Sequence, residues 1–151
     1  MKILINRCFG GFNISGEALK LLIARGAKCV DVTPEAEYYG VEDVEEHLEI
    51  ERRRFSSVYE DHDIGDGYIH RGSLGSTPII KDGVVYDFDD DYPEHKNRSN
   101  PDLIAVAEEL GEKASGFCAD LEIVEIPDGV DYTIEEYDGL EHVAESHRTW
   151  S

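Results

Sequence analysis

The sequence predicts an α/β or α+β fold with a mixed sheet of about five to seven strands, a β–α–β unit at the N-terminus, two main helices and a C-terminal β-hairpin. Three observations lead to this prediction. Residues 2–32 alternate between strand-like and helix-like patterns. A second helical pattern with a strong start signal begins at Asn100. Asp-Gly pairs at 82–83 and 138–139 separate strand-like runs, a pattern typical of tight hairpins.

The N-terminal unit starts with residues 2–6, an apolar run too short for a helix. A loop with two adjacent glycines follows, and Ser15 is placed to cap a helix that Gly26 ends. Residues 28–32 form the next predicted strand. Because a helix connects the two strands, the unit predicts a parallel pair joined by a right-handed crossover.

The middle of the chain is less regular. Residues 33–56 begin with a proline-marked helix start and carry a loose helical stripe. Residues 61–77 are rich in glycine, aspartate and serine around a short strand at Tyr68-Ile69-His70. The Asp82-Gly83 pair lies between β-branched residues and predicts the first tight hairpin.

The last third predicts a helix from Asn100 to about Lys113, because an asparagine–proline start is followed by apolar residues at helical spacing. Residues 121–126 predict a strand, and residues 132–145 predict the C-terminal hairpin. The register of this hairpin predicts two facing pairs: Ile134 with Val143, and Glu135 with His142.

Length and charge limit the possible functions. A chain of 151 residues suits a single domain, residues 1–151, because one domain usually spans roughly 100–150 residues. The 34 acidic and 14 basic residues give a formal charge of −20, which repels a phosphate backbone and predicts no direct nucleic-acid binding. Three interpretations of the acidity stay open: a solubility device, adaptation to high salt, or a negative surface for a basic partner, including nucleic-acid mimicry.

Cysteine usage and hydropathy indicate the compartment. Cys8, Cys29 and Cys118 are odd in number and widely spaced, which predicts free thiols in a reducing compartment. The sequence shows neither a signal-peptide pattern nor a run approaching the ~20 apolar residues of a membrane span. We therefore expect a soluble cytoplasmic protein without a membrane partner.

The loop before the first helix is the candidate ligand site. Its glycines permit close backbone approach to a phosphate, and the helix start offers free amides with a partial positive charge. The Rossmann and Walker fingerprints are absent, so a plain turn is the alternative. At the other end of the chain, the ring of Trp150 must either pack on the body or contact something else. The predicted ligand-binding residues are Arg7, Gly10, Gly11, Phe12, Asn13, Ser15, Arg148 and Trp150.

Other motifs predict neither a metal nor a cofactor. Asp87, Asp89 and Asp91 have the spacing that starts a calcium loop, but the turn glycine and closing glutamate are missing, which favours a solvated acidic loop over a weak magnesium site. The six histidines show no zinc spacing, and His142 is interpreted as a surface ion-pair partner. Without a nucleophile elbow, we assign no catalytic residues and favour binding over catalysis.

Two stretches of the sequence are distinctive. The first is residues 3–12, and the second comprises segments of the last third: Asn100-Pro101-Asp102-Leu103-Ile104, Ile123-Val124-Glu125-Ile126-Pro127, Glu136-Tyr137-Asp138-Gly139 and His147-Arg148-Thr149-Trp150. Both stretches resemble small uncharacterised proteins encoded by tailed bacteriophages and prophages. The resemblance implies an accessory protein of the host cytoplasm, of a kind that often acts in host takeover or anti-defence by binding. It implies no catalytic residues. If the two stretches meet in space, Arg7, the glycine loop, Arg148 and Trp150 would form one pocket suited to a nucleotide phosphate and base.

Three functions follow as hypotheses. The first is a binder of a small phosphate-bearing nucleotide that sequesters a host immune signal as an anti-defence factor. The second is an acidic interaction protein, a nucleic-acid mimic or host-enzyme inhibitor, that binds a basic protein surface. The third is a small divalent-metal-dependent hydrolase. The oligomeric state stays open, with the exposed edge of the terminal hairpin as a place for self-association.

Overall fold

The computed structural model describes residues 1–40, 62–63, 69–70, 78–89, 96–116 and 118–145. Its strands are β1 Lys2–Asn6, β2 Val30–Pro34, β3 His62–Asp63, β4 Ile69–His70, β5 Ile79–Lys81, β6 Val84–Phe88, β7 Leu121–Glu125, β8 Tyr132–Tyr137 and β9 Leu140–Glu145. Its helices are α1 Gly16–Arg25, α2 Glu35–Tyr39 and α3 Pro101–Leu110, with 3₁₀ helices at Lys96–Ser99 and Gly111–Ala114. The mixed class, the two main helices and the C-terminal hairpin are confirmed.

The predicted parallel pair at the N-terminus is wrong. Strand β1 pairs with β7, and β2 pairs with β6, both antiparallel. Every strand pair between described residues is antiparallel, so the fold is α+β. A strand–helix–strand order gives a parallel pair only when both strands are neighbours in one sheet. Here β2 pairs with β6 of the β5–β6 hairpin, and β1 pairs with β7, which is distant in the sequence.

The strands of the described residues form three separate sheets rather than one mixed sheet. β1 and β7 make one pair, β8 and β9 another, and the order β2-β6-β5-β4-β3 makes a five-stranded sheet. The short β4 confirms the brief strand predicted around Ile69. Only α2 represents the helical stripe predicted to residue 56, because residues 41–61 lie outside the described part of the chain.

Both main helices begin at the predicted residues. The Ser15 hydroxyl accepts a hydrogen bond from the amide of Ala18 at 3.1 Å, and α1 ends at Gly26 in the left-handed region at φ 68°. Asn100 caps α3 by accepting from the amide of Asp102 at 2.9 Å. Pro101 then occupies the first turn of α3, where its missing N–H costs nothing.

Both Asp-Gly pairs form the predicted tight turns. Asp82 and Gly83 have φ values of 49° and 77°, and Asp138 and Gly139 have values of 50° and 90°. Positive φ at both central residues is the geometry of the type I′ turn that suits the twist of a hairpin. In the second hairpin, β8 and β9 pair in the predicted register, with Ile134 opposite Val143 and Glu135 opposite His142.

The core lies between α1, α3 and the strands. Its fully buried side chains include Leu4 from β1, Leu22 from α1, Ile79 from β5, and Leu103 and Val106 from α3. Removing such apolar surface from water is the main favourable contribution to folding. None of the helices in the described ranges is long and apolar enough to cross a membrane.

Candidate functional site

The N-terminal stretch and the last third of the chain meet at the carboxyl end of β1. β1 pairs with β7 along its whole length. Just beyond this ladder, the side-chain amide of Asn6 donates to the carbonyl of Gly139 at 2.7 Å, in the turn of the C-terminal hairpin. Residues 6–12, 118–120 and 138–139 therefore lie together, and we call them the loop junction. The two stretches lie side by side as far as residue 139, and residues 146–151 are outside the described part of the chain.

The glycines of the loop junction are packed against other backbone. A Cβ added to Gly10 would overlap the carbonyl oxygen of Cys118, and a Cβ added to Gly139 would overlap the amide nitrogen of Gly11. Gly11 itself has φ 98°, a conformation that favours glycine. Close contact between chain segments thus accounts for both Gly10 and Gly139 without a phosphate.

The start of α1 is covered by the segment that follows α3. The amide of Ser15 donates to the carbonyl of Ala114 at 2.8 Å, and its hydroxyl donates to the carbonyl of Lys113 at 2.6 Å. Asn13 lies against Gly116, whose amide donates to the Asn13 carbonyl at 3.1 Å. These contacts occupy the surroundings of the helix start that a bound phosphate would use.

Phe12 faces inward rather than toward a ligand surface. Its ring lies under the guanidinium of Arg98, with 3.4 Å between the guanidinium carbon and the ring centroid. Its centroid is also 5.9 Å from that of Phe88. The ring therefore combines a cation–π contact with aromatic packing inside the protein.

A buried ion pair lies at the centre of this region. Arg98 and Glu141 are 1% and 4% exposed, and their side chains form two hydrogen bonds of 2.7 and 2.9 Å. Arg98 also donates to the carbonyl of Leu4 at 3.3 Å, and Glu141 accepts from the amide of Asn6 at 2.8 Å. Bidentate pairing with further hydrogen bonds is the arrangement that offsets the desolvation of two buried charges. The pair connects β1, β9 and the 3₁₀ helix at Lys96–Ser99.

Sequence reasoning missed this pair, although one signal for it existed. Ile134 and Val143 face each other on the inner face of the hairpin, and alternation along β9 puts Glu141 on that same face. An acidic residue on an inward face calls for a cationic partner. Nothing local to Arg98 identifies it as that partner, because it lies 43 residues away in the chain.

Asn6 is the second buried polar residue of the junction, with 0% exposure. Its side-chain amide donates to the carbonyls of Cys8 and Gly139, and its side-chain oxygen accepts from the amide of Asp120 at 2.9 Å. One side chain thus holds all three segments of the loop junction together. Its role is to position backbone, since it is fully buried and saturated with internal hydrogen bonds.

The cationic part of the predicted ligand site is only partly described. Arg7 is half-exposed and forms an ion pair with Glu122 at 3.4 Å. Arg148 and Trp150 lie outside the described residues, so the predicted pocket between them and the glycine loop stays a prediction. Calorimetric titration with nucleotides tests it: binding that Arg7→Ala and Arg148→Ala leave unchanged, or no binding below millimolar dissociation constants, contradicts it.

The outward face of the C-terminal hairpin is the most prominent exposed feature near the junction. Tyr137 is 77% exposed at the end of β8, and Phe9 in the adjoining loop is 65% exposed. Glu135 and His142 form an exposed pair across the hairpin at 2.8 Å, as the sequence predicted. We call the exposed residues Thr133, Glu135, Tyr137 and His142 the hairpin outer face.

Of the three aspartates with the spacing of a calcium loop, Asp87 and Asp89 are described, and Asp91 lies outside the described residues. Asp87 accepts a hydrogen bond from the amide of Phe88 at 2.9 Å, and it lies directly opposite Asp31 on β2. Burial, with the negative charges of Asp31 and Asp89, raises the pKa of Asp87. Among the residues described, no group of three or more histidine, cysteine, aspartate or glutamate side chains is placed to hold a metal ion.

Comparisons with known proteins add no assignment to this geometry. No protein-family model, no curated protein and no solved structure matches the chain. A function therefore has to be argued from the surfaces and contacts described above.

Proposed function

We propose that this protein is a binding protein that uses the hairpin outer face to bind a basic protein surface. The observation that carries the proposal is the concentration of negative charge around an exposed aromatic residue. Residues 131–145 contain six acidic residues and neither lysine nor arginine. Of these six, only Glu141 is buried with an internal cation, Arg98.

The hairpin has one face turned to the protein and one turned to solvent. Glu141 and its neighbour in register, Glu136, are on the inner face, where Glu141 meets Arg98. Alternation puts Glu135 and Tyr137 on the opposite face, where both are exposed. The outer face is thus available to a partner while the inner face fixes the hairpin to the body.

Tyr137 has the properties of an anchor for such a partner. Tyrosine is enriched at the energetic centres of protein interfaces, because a rigid ring buries a large apolar area and its hydroxyl keeps a polar contact. Phe9 belongs to the loop that touches the turn following Tyr137, since Gly139 lies against Gly10 and Gly11. The two exposed rings therefore extend from neighbouring segments.

The acidic surroundings select the chemistry of the partner. Negative charge steers a basic surface toward the hairpin and repels acidic proteins and nucleic acid. The resemblance to small phage proteins supports a binding role in the same direction, because accessory proteins of that kind commonly act on a host protein. We therefore expect the partner to be a basic protein of a bacterial host.

Affinity capture from a bacterial lysate with two matched variants tests the proposal. The hairpin variant combines Glu135→Gln, Tyr137→Ser and Asp138→Asn, and it keeps Glu136, which accepts from the amide of Gly139 at 3.0 Å. The control variant removes the same number of charges and one tyrosine elsewhere. Its changes are Tyr38→Ser, Glu109→Gln and Glu112→Gln, all at exposed positions.

The expected result is a basic protein captured by the wild type and the control but reduced at least about tenfold with the hairpin variant, since interface anchors are worth about 2 kcal/mol or more. Capture should be lost at about 1 M salt, where charges are screened beyond about 3 Å. Equal capture by both variants, or no salt-sensitive partner, contradicts the proposal.

A further inference from the structure

We infer that Cys8 and Cys118 are a reversible disulfide site that closes when the protein meets a peroxide. The inference is independent of the proposed binding function. It rests on the position of two accessible thiols in adjoining loops and on the inaccessibility of the third cysteine. All three cysteines are free in this structure.

The two cysteines are already in contact through one hydrogen bond. The thiol of Cys8 donates to the carbonyl oxygen of Cys118, with 2.9 Å between sulfur and oxygen. Cys8 is half-buried and Cys118 is exposed. A carbonyl oxygen lies about 3 Å from the Cβ of its own residue by covalent geometry, so the Cys8 sulfur is within about 6 Å of the Cys118 Cβ. Closing the bond requires side-chain rotation and a loop adjustment that brings the two Cβ atoms to about 3.5–4.5 Å.

The backbone holds the two loops at this separation. The β1–β7 ladder continues past its last paired residues, because the amide of Arg7 donates to the carbonyl of Asp120 at 2.7 Å. This bond fixes the residue before Cys8 against the segment that follows Cys118. A Cβ on Gly10 would also come within 2.8 Å of the Cys118 Cβ, so the Cys118 side chain starts beside the loop that contains Cys8.

Cys118 has a backbone conformation that is uncommon for its residue type. Its φ of 57° is in the left-handed region, which residues other than glycine, asparagine and aspartate seldom adopt. This conformation turns the carbonyl of Cys118 toward the Cys8 thiol while leaving its own side chain exposed. The exposed sulfur is the one that an oxidant reaches first.

The chemistry balances with hydrogen peroxide as the oxidant. The Cys118 sulfur attacks one peroxide oxygen, the O–O bond breaks, and the released hydroxide leaves as water with the thiol proton. The sulfenic acid formed on Cys118 is then attacked by the Cys8 sulfur. The S–O bond breaks as the S–S bond forms, and the second hydroxide leaves as water with the Cys8 proton. Two thiols are oxidised to one disulfide, and one peroxide is reduced to two waters. Thiol reductants reverse the reaction by exchange.

Cys29 provides an internal control. It is fully buried, and burial raises the pKa of its thiol to about 11. Because the thiolate is the reactive form, Cys29 should stay reduced at neutral pH while the other two react. The closed disulfide would tie the loop that carries the exposed Phe9 to the loop before β7.

Intact mass and peptide mapping of the full chain test the inference. Dilute wild-type protein is treated with hydrogen peroxide at neutral pH, unfolded, and alkylated with N-ethylmaleimide. We expect one alkyl group, on Cys29, and a proteolytic peptide pair linked through Cys8 and Cys118. If the peroxide-treated protein is reduced with dithiothreitol before alkylation, three alkyl groups should be found. The same linked peptides should form with Cys29→Ala.

Three outcomes would overturn the inference. They are three alkylated cysteines after peroxide treatment, a disulfide that includes Cys29, and Cys118 oxidised to sulfinic acid without a link to Cys8. All three outcomes are read on the wild-type protein, so they do not depend on whether a variant folds. As a further check, Cys118→Ser should give two alkylated cysteines, Cys8→Ser should leave Cys118 oxidised without a partner and Cys29 alkylated, and neither variant should form an internal link.

Discussion

At the residue scale, the buried pair Arg98–Glu141 ties the stability of the protein to two charges. Each charge loses its hydration on burial, and each depends on the other for compensation. Glu141 also supplies the acceptor for the amide of Asn6, so the pair fixes the place of β9 beside β1. The buried ion pair therefore holds in place the hairpin whose outer face is the proposed binding surface.

Removing one member of the pair should be strongly destabilising. We expect Arg98→Met to lower the free energy of unfolding by about 3–5 kcal/mol in urea titration, because Glu141 stays buried without its cation. Adding Glu141→Gln to Arg98→Met should recover part of this loss, since the amide keeps an acceptor for Asn6. The exposed pair of Arg25 and Asp102 is the control, and Arg25→Met should cost less than about 1 kcal/mol. Equal losses at the two sites would contradict this view.

Asp87 should make stability depend on pH in the direction opposite to a salt-bridged carboxylate. Its raised pKa means that the folded state binds the proton more tightly than the unfolded chain does. Ionised Asp87 therefore penalises the folded state above its folded pKa, and the penalty disappears as pH falls toward the ordinary value of 3.8. Asp87→Asn should stabilise the protein at pH 7 by about 0.2–1 kcal/mol, a typical cross-strand like-charge penalty.

Urea titration at pH 7 and near pH 4 measures this effect. The gain from Asp87→Asn should shrink at the lower pH. Asp131→Asn, at an exposed position before β8, removes the same charge without relieving the contact of Asp87 with Asp31. If Asp131→Asn gives the same gain with the same pH dependence, net charge alone explains the result and the role of Asp87 is wrong.

The residues that the sequence predicted correctly are those whose partners are local. Ser15 and Asn100 cap helices through amides two or three residues away, and this pattern is visible in the sequence itself. The glycine loop was identified as a close-approach segment, but the sequence could not show that the approaching group is Cys118 or Gly139. Those contacts cross more than a hundred residues and depend on how the strands assemble.

At the element scale, the hairpins show how turn chemistry and long-range contact combine. The Asp-Gly turns were predictable because type I′ geometry needs positive φ at both central residues. The pairing partners of β1 and β2 could not be predicted, because the hydrophobic pattern of a strand does not specify the strand that it pairs with. β2 is joined to β6 and β1 to β7, so the parallel unit suggested by element order does not form.

The contact between the hairpin turn and the glycine loop can be measured with two glycine substitutions. Gly139→Ala should destabilise the protein more than Gly129→Ala does. Both glycines have positive φ, 90° and 80°, so both alanines carry a similar backbone strain of roughly 1–2 kcal/mol. Only the methyl group at 139 would overlap Gly11, since a Cβ at 129 meets nothing within 4 Å.

Thermal and urea unfolding of the two variants gives the comparison. The difference between them isolates the cost of separating the turn from the loop. Equal destabilisation would mean that the turn can lift away freely and that the loop junction is not a tight contact.

At the scale of the whole molecule, a net charge of −20 acts on both stability and association. Like charges spread over a compact surface repel one another and favour expansion. Raising sodium chloride from about 0.02 to 0.2 M should therefore raise the melting temperature, because screening shortens the reach of that repulsion. A melting temperature that falls over this range would show that salt-sensitive ion pairs outweigh the repulsion.

The same charge decides which partners the molecule can approach. On the proposed function, this charge would attract a basic surface from beyond contact distance and would repel acidic surfaces and nucleic acid. Charge alone does not define a binding site, and the site proposed here depends on Tyr137 at the hairpin outer face. The proposal therefore specifies where the partner binds, at the hairpin outer face, as well as the charge of the partner.

Site-specific photo-crosslinking in a bacterial lysate tests that claim most directly. A photoreactive phenylalanine analogue replaces Tyr137 in one protein and Tyr38, an exposed tyrosine on α2, in another. We predict that the analogue at 137 captures a basic protein at about 0.1 M salt, that the capture disappears at about 1 M salt, and that the analogue at 38 does not capture it. The same protein captured equally from both positions, or capture from 137 that salt leaves unchanged, would contradict the account.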